Sequence, residues 1–182
     1  MGERRTEVLR AAIELLDEVG IDGLTMRLLA SRLGVRASAL YRHYPSKQAL
    51  LDAMVVHLST PRGEARTPAD APWDEQLRRT AGSLRQLMLA HRDGARLMST
   101  FHTPGPEAAA GFHDLVGALV AAGTTPDAAV TAVDTVLAYV NGHTLEEQAR
   151  KTDASAWPGH RRDLAFDNGL ELILTGIRAT LP

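Results

Sequence analysis

Eight consecutive residues carry the densest chemistry in this chain. Ala37, Ser38 and Ala39 offer almost no side-chain bulk, and beyond Leu40 come Tyr41, Arg42, His43 and Tyr44. A packed core has no use for that grouping, because burying cations and ring hydroxyls without partners is costly. A surface that lies close against a polyanion does. Arg36 and Lys47 flank the run, and Thr25 and Arg27 open the preceding helical segment, where free backbone N–H groups favour an anion such as phosphate.

The charge pattern agrees. The chain has 182 residues and a net charge of −2, yet residues 25–47 hold five cations (Arg27, Arg32, Arg36, Arg42, Lys47) and no acid, whereas residues 1–24 hold three cations and six acids. A polyanion-binding patch confined to one segment produces this asymmetry; a generally basic protein does not. Cysteine is absent, which removes disulfides, thiolate catalysis and cysteine zinc sites together. No apolar run reaches the roughly 18 residues of a membrane span, and MGERRTEVLR lacks an apolar signal core, so no membrane partner and a cytoplasmic location are expected.

The elements that must position these residues are helical. Val8, Leu9, Ala12, Ile13, Leu16 and Val19 form one stripe over residues 6–19, which Gly20 ends. Thr25 is the expected N-cap of a second helix through Leu33, with Met26, Leu29, Ala30 and Leu33 inward, and Gly34 suits a left-handed cap after it. A third helix is predicted from Ala37 to Tyr44 and a fourth, capped by Ser46, from Lys47 to Leu58. Three short helices with a glycine-bearing turn have the dimensions of a helix-turn-helix.

The proline-rich stretch STPRGEARTPADAP, residues 59–72, reads as a linker. Longer helices follow over residues 73–91, 106–122, from Asp127 to about Lys151 behind Thr125 and Pro126, and 164–181, with a short turn of helix over 93–99. No strand pattern appears. The expected fold is all-α in two parts: a three-helix helix-turn-helix domain over residues 1–50, and a larger helical domain over 51–182. Helix 47–58 is the connector.

In a helix-turn-helix the second helix of the motif enters the major groove by its N-terminal residues. Ala37 and Ala39 supply apolar contact there, Ser38 donates or accepts, and Arg36 or Arg42 matches guanine through a bidentate fork. Tyr41, His43 and Lys47 have the length to reach phosphate oxygens. Tyr44, four residues from Leu40, reads better as core.

Taken together, GIDGLTMRLLASRLGVRASALYRHYPSKQALLDAM closely resembles the DNA-binding domain of the tetracycline-repressor (TetR) family of bacterial transcriptional regulators. That resemblance implies a homodimeric repressor that binds a palindromic double-stranded DNA operator and releases it when a small molecule enters the C-terminal domain. DNA contacts carry by resemblance onto Thr25, Arg27, Ala37, Ser38, Tyr41, His43 and Lys47. The tetracycline repressor that gives the family its name has Gln-Pro-Thr in place of Ala37-Ser38-Ala39 and Trp in place of Arg42, so the operator sequence does not carry over.

The second domain shares the landmarks AHRDGARL, Trp73, NGHTLEEQ and NGLELILTGI. By similarity, the helices from Asp127 and Leu164 would form a four-helix bundle with a second subunit. Val130, Val133, Leu137, Leu170, Ile173, Leu174 and Ile177 serve core or interface there, and Gly142 and Gly169 suggest close helix approach. The family's magnesium-binding histidine falls on Met98, a second pocket histidine on Ala138 and the pocket asparagine on Thr80; only the acid survives, at Glu146. Methionine sulfur is a poor ligand for magnesium, so a magnesium–tetracycline chelate is not expected, nor any resident metal or cofactor. A largely apolar effector is expected instead, in a cavity drawn from Thr80, Leu84, Met88, Met98, Phe101, Phe112, Val133 and Leu137, with His102, Asn141, His143 and Glu146 as polar anchors.

No catalytic residues are identified. His143 and Glu146 stand in the order His-x-x-Glu, without the second copy that carboxylate-bridged bundles use, and there is no glycine-rich phosphate loop. Two other readings share these residues: a DNA-binding regulator without an effector, and a helical binding protein or enzyme that borrows the head.

Overall fold

The computed structural model describes residues 2–59, 70–100, 106–150 and 159–181, which form helices joined by turns, with no strand among them. In chain order these are α1 (Gly2–Gly23), α2 (Met26–Arg32), α3 (Ala37–Tyr41), α4 (Lys47–Ser59), α5 (Trp73–Leu89), α6 (Gly94–Ser99), α7 (Pro106–Ala121), α8 (Pro126–Ala149) and α9 (Gly159–Arg178). They fall into two compact units: residues 1–60 with 87–105, and residues 61–86 with 106–182. Most of the proline-rich stretch, residues 60–69, lies outside the described residues, as do 151–158.

The first unit is built by local signals. Gly20 adopts φ 74° and breaks α1, leaving one short turn before Gly23. Thr25 caps α2 by accepting from the Leu28 amide at 3.1 Å, Gly34 takes φ 65° in the turn, and Ser46 accepts from the Ala49 amide at 3.0 Å to start α4. These are positions where a side-chain hydroxyl or a missing Cβ satisfies the backbone within a few residues. α3 is shorter than predicted. It ends at Tyr41 instead of Tyr44, because the His43 and Tyr44 amides both turn back onto the Leu40 carbonyl at 2.9 Å and Pro45 follows. Val8, Leu15, Leu16, Leu24, Leu29, Leu40, Tyr44, Leu50, Met54 and Leu97 close one core, so α6 packs with the head. Each such large side chain contributes about 1.5–3 kcal/mol by burial.

A polar lattice locks α6 to the end of α1. The kink at Gly20 deprives the Ile21 amide of a helical acceptor, and Asp93 Oδ2 accepts from it at 2.9 Å. Asp93 itself holds φ 56°, a left-handed backbone. Arg92 donates to the Glu18 carbonyl at 2.6 Å, its amide donates to Asp17 at 2.9 Å, and Arg96 grips Asp22 through two bonds of 2.9 and 3.0 Å. That grip, through hydrogen bonding first and charge second, holds the Asp22 carboxyl below its ordinary pKa.

In the second unit α8 packs against both α7 and α9. Thr125 caps α8 by accepting from the Ala128 amide at 3.3 Å, with Pro126 in its first turn. α9 starts at Gly159, five residues before the expected Leu164; its first turn carries His160, Arg161 and Arg162, whose polar pattern hides the helical register in the sequence. Of the two glycines expected to mark close helix approach, Gly169 does: an added Cβ would overlap the Tyr139 hydroxyl and lie 2.7 Å from its ring carbon Cζ. Gly142 has nothing within 4 Å of the same position, because it lies on the outer side of α8.

Candidate nucleic-acid interface

Every predicted contact of the reading head is available at a surface or close to one. Arg27, Arg36, Ser38, Tyr41 and Arg42 are exposed, as is the cap Thr25; Ala37, His43 and Lys47 are half-buried. Tyr41 leaves 49% of its surface open, unusual for a tyrosine with a core beneath it. Tyr44 goes the other way. It is buried in the core, and burial pushes its hydroxyl pKa up. Small Ala37 packs one side onto that core, which seats the start of α3 firmly.

The cations divide into committed and uncommitted groups. Arg32 is neutralised by Glu18, whose carboxyl is lowered chiefly by that hydrogen bond. Lys47 donates one of its three N–H bonds to the Ile21 carbonyl at 2.8 Å, tying the start of α4 to the end of α1. Arg27, Arg36 and Arg42 form no ion pair with a carboxylate among the described residues. Exposed guanidinium groups without acids beside them, set around short side chains on α3, can meet a phosphate or a base edge without first breaking an internal ion pair.

The predicted pocket residues are distributed over both units. Met88 and Met98 belong to the first, Met88 buried and Met98 packed on its core. Thr80, Leu84, Phe112, Leu137 and Asn141 are half-buried and Val133 fully buried in the second. Glu146 is exposed and bonds Arg150 at 2.9 Å. Phe101 and His102 lie outside the described residues. An open depression of about 580 Å³ lines the first turns of α5, formed by Pro72, Asp74, Glu75, Arg78 and Arg79, none of them a predicted pocket residue.

Sequence reasoning missed the buried ionic cluster of the second unit. Arg85 and Glu147 are 9% and 8% exposed and meet through two bonds of 3.0 and 3.1 Å; Arg85 also donates to Asp163 at 2.7 Å and lies 4.8 Å over the Phe166 ring. Burial opposes the Arg85 charge, but the bonds to Glu147 and Asp163 outweigh it and raise its pKa. The signal was present in the register. Val133, Val136, Val140, Thr144 and Glu147 step along α8 by three and four, so the stripe ends on Glu147 and leaves Glu146 outside.

His143 lies beside this cluster, its ring 5.5 Å from Tyr139 and 5.4 Å from Phe166, with Nδ1 buried and unpaired. Burial, countered by Glu147 and reinforced by Arg85, lowers its pKa below the ordinary imidazole value. The unfolded chain therefore takes up this proton near pH 6.5, where the folded chain does not. Its contribution to stability is complete above that pH and falls as pH drops through it. Melting curves from pH 7.5 to 5.5 are expected to show a steeper acid loss in the native chain than in His143→Gln; equal slopes would remove His143 as the cause.

The architecture defines a class: an all-helical DNA-binding protein with an N-terminal helix-turn-helix and a second helical unit. Comparison with known proteins narrows this. Residues 8–54 match the profile described as bacterial regulatory proteins, tetR family, and residues 67–164 match the tetracyclin repressor-like C-terminal domain. The tetracycline repressor class A from transposon 1721 of Escherichia coli is 37% identical over 93% of this chain and 88% of its own. A TetR variant from Acinetobacter baumannii AYE, in complex with minocycline, superposes with a TM-score of 0.87 at 35% identity, covering 97% of each chain. BioQ with its natural double-stranded DNA operator gives a TM-score of 0.75 at 35% identity, covering 96% of this chain and 98% of that one. The chain belongs to the TetR family of bacterial transcriptional regulators.

Proposed function

We propose that this regulator is a cytoplasmic homodimeric repressor that holds a palindromic operator through two copies of α3 and releases it when a small molecule occupies the helical domain. The observation that carries the reading is the exposed, acid-free group Arg27, Arg36 and Arg42 around Ala37, Ser38 and Tyr41. The operator-bound and minocycline-bound relatives support its two halves. Thr25, Ala37, Ser38, Tyr41, His43 and Lys47 complete the DNA surface, and residues 1–50 act as the reading head with α4 as connector to 51–182.

Two copies meet, in this reading, across α8 and α9, where Val130, Leu164 and Leu172 expose apolar surface; Leu172 leaves 76% of its area open. The effector is largely apolar and is not a magnesium chelate, given Met98, Ala138 and Thr80 at the three departed positions. Its binding favours a head spacing that no longer matches the half-sites, an equilibrium shift set by differential affinity. No catalytic step is involved.

Selection of duplexes from a random pool supplies the operator for the test. Arg42→Ala is expected to weaken that operator by at least tenfold, the scale of one lost bidentate base contact. Unchanged affinity with a salt slope near zero would instead favour a helical binding protein that borrows the head. A metabolite screen in which nothing raises the melting temperature or releases the operator would point to a regulator without an effector.

A further inference from the structure

The head carries a cation that the helix-turn-helix pattern leaves out. Arg5 precedes the matched residues 8–54, yet it stands at the far end of the recognition segment. Its guanidinium carbon lies 5.1 Å over the ring of Tyr44, and the Tyr44 hydroxyl donates to the Arg5 carbonyl at 3.4 Å. Tyr44 is 1% exposed and its amide is bonded to Leu40 at 2.9 Å, so the ring under Arg5 is fixed to the closing turn of α3. Arg4 pairs with Glu7 at 2.7 Å, Arg32 with Glu18 and Arg96 with Asp22 at 2.9 Å. Arg5 is exposed and has no such carboxylate among the described residues.

A guanidinium over a tyrosine ring keeps most of its five N–H donors free, since the ring face is met through the π-cloud and the Tyr44 hydroxyl takes at most one of them. A helix lying in the major groove has a phosphate wall on each side, and cations beside its ends meet those walls. We propose that Arg5, held by Tyr44, is a DNA phosphate contact that extends the footprint beyond the helix-turn-helix and adds affinity without sequence preference. This rests on the DNA-binding reading above.

The test uses the full chain and its selected operator, with affinity measured across a salt series. Arg5→Ala is expected to reduce the salt slope by about 0.9 per protomer, which corresponds to about tenfold weaker binding per protomer at about 0.1 M salt. The loss should be equal on operator and mismatched duplexes, unlike that of a base contact. Arg5→Lys keeps the charge and is expected to keep most of the slope. A purely structural role would lower the melting temperature of Arg5→Ala and leave the slope unmoved. If Arg42→Ala weakens binding and Arg5→Ala retains the native slope, the Arg5 contact is wrong and the DNA reading stands. If neither variant changes affinity or slope, both fall.

Discussion

Glu147→Ala is expected to destabilise the second unit by about 3–5 kcal/mol, the cost of leaving a buried cation without its partner. Arg85 is 9% exposed, and the acid left to it, Asp163, has a side chain 63% exposed and so offers a solvent-screened partner. Native domains hold only about 5–15 kcal/mol in total, so the melting temperature should fall by roughly 10 °C. Glu146→Ala, one residue away, removes an exposed pair with Arg150 and should change stability by less than about 0.5 kcal/mol. Changing Arg85→Met and Glu147→Leu together should recover most of the loss, since two apolar side chains carry no charge to desolvate. A single Glu147→Ala variant that melts with the native chain would show that water reaches Arg85.

Gly94→Ala is expected to cost the first unit about 3 kcal/mol, at the upper end of overpacking effects. A Cβ there overlaps the carbonyl oxygen of Met88 and stands 2.9 Å from the carbonyl carbon, and backbone cannot swing aside as a side chain can. Gly94 directly follows Asp93, whose carboxylate caps Ile21, and precedes Leu97, which is fully buried in the head. Shifting α6 therefore loosens the end of α1, and operator affinity should fall along with the melting temperature. Gly82→Ala is the contrast: nothing lies within 4 Å of its added Cβ, and α5 should gain up to about 1 kcal/mol from helix propensity. Similar melting temperatures for the two variants would refute the packing account of Gly94.

Where sequence reasoning met the structure, the range of the interaction decided the outcome. Thr25, Gly34, Ser46 and Thr125 announce helix ends because a cap satisfies N–H or φ demands within three or four residues. The exposed cations of the reading head were legible for a similar reason, since a run of bases without acids in residues 25–47 has few local ways to neutralise itself. Neutralisation across the fold was not legible. Arg32 is taken up by Glu18 and Lys47 by the Ile21 carbonyl, partners that only the return of α1 brings near.

The chain order alone established a helical protein, the caps at Thr25, Gly34, Ser46 and Thr125, the apolar stripe of α1 and the acid-free cationic segment proposed to meet DNA. Tertiary structure alone decided that Glu147 and not Glu146 turns inward to Arg85, that Asp93 caps a helix 72 residues away, and that Gly94 must lack a side chain. Hydrophobic periodicity and capping are properties of a few adjacent residues. The pairing of buried charges depends on which helices become neighbours, and that is settled only when apolar burial has brought the distant segments together.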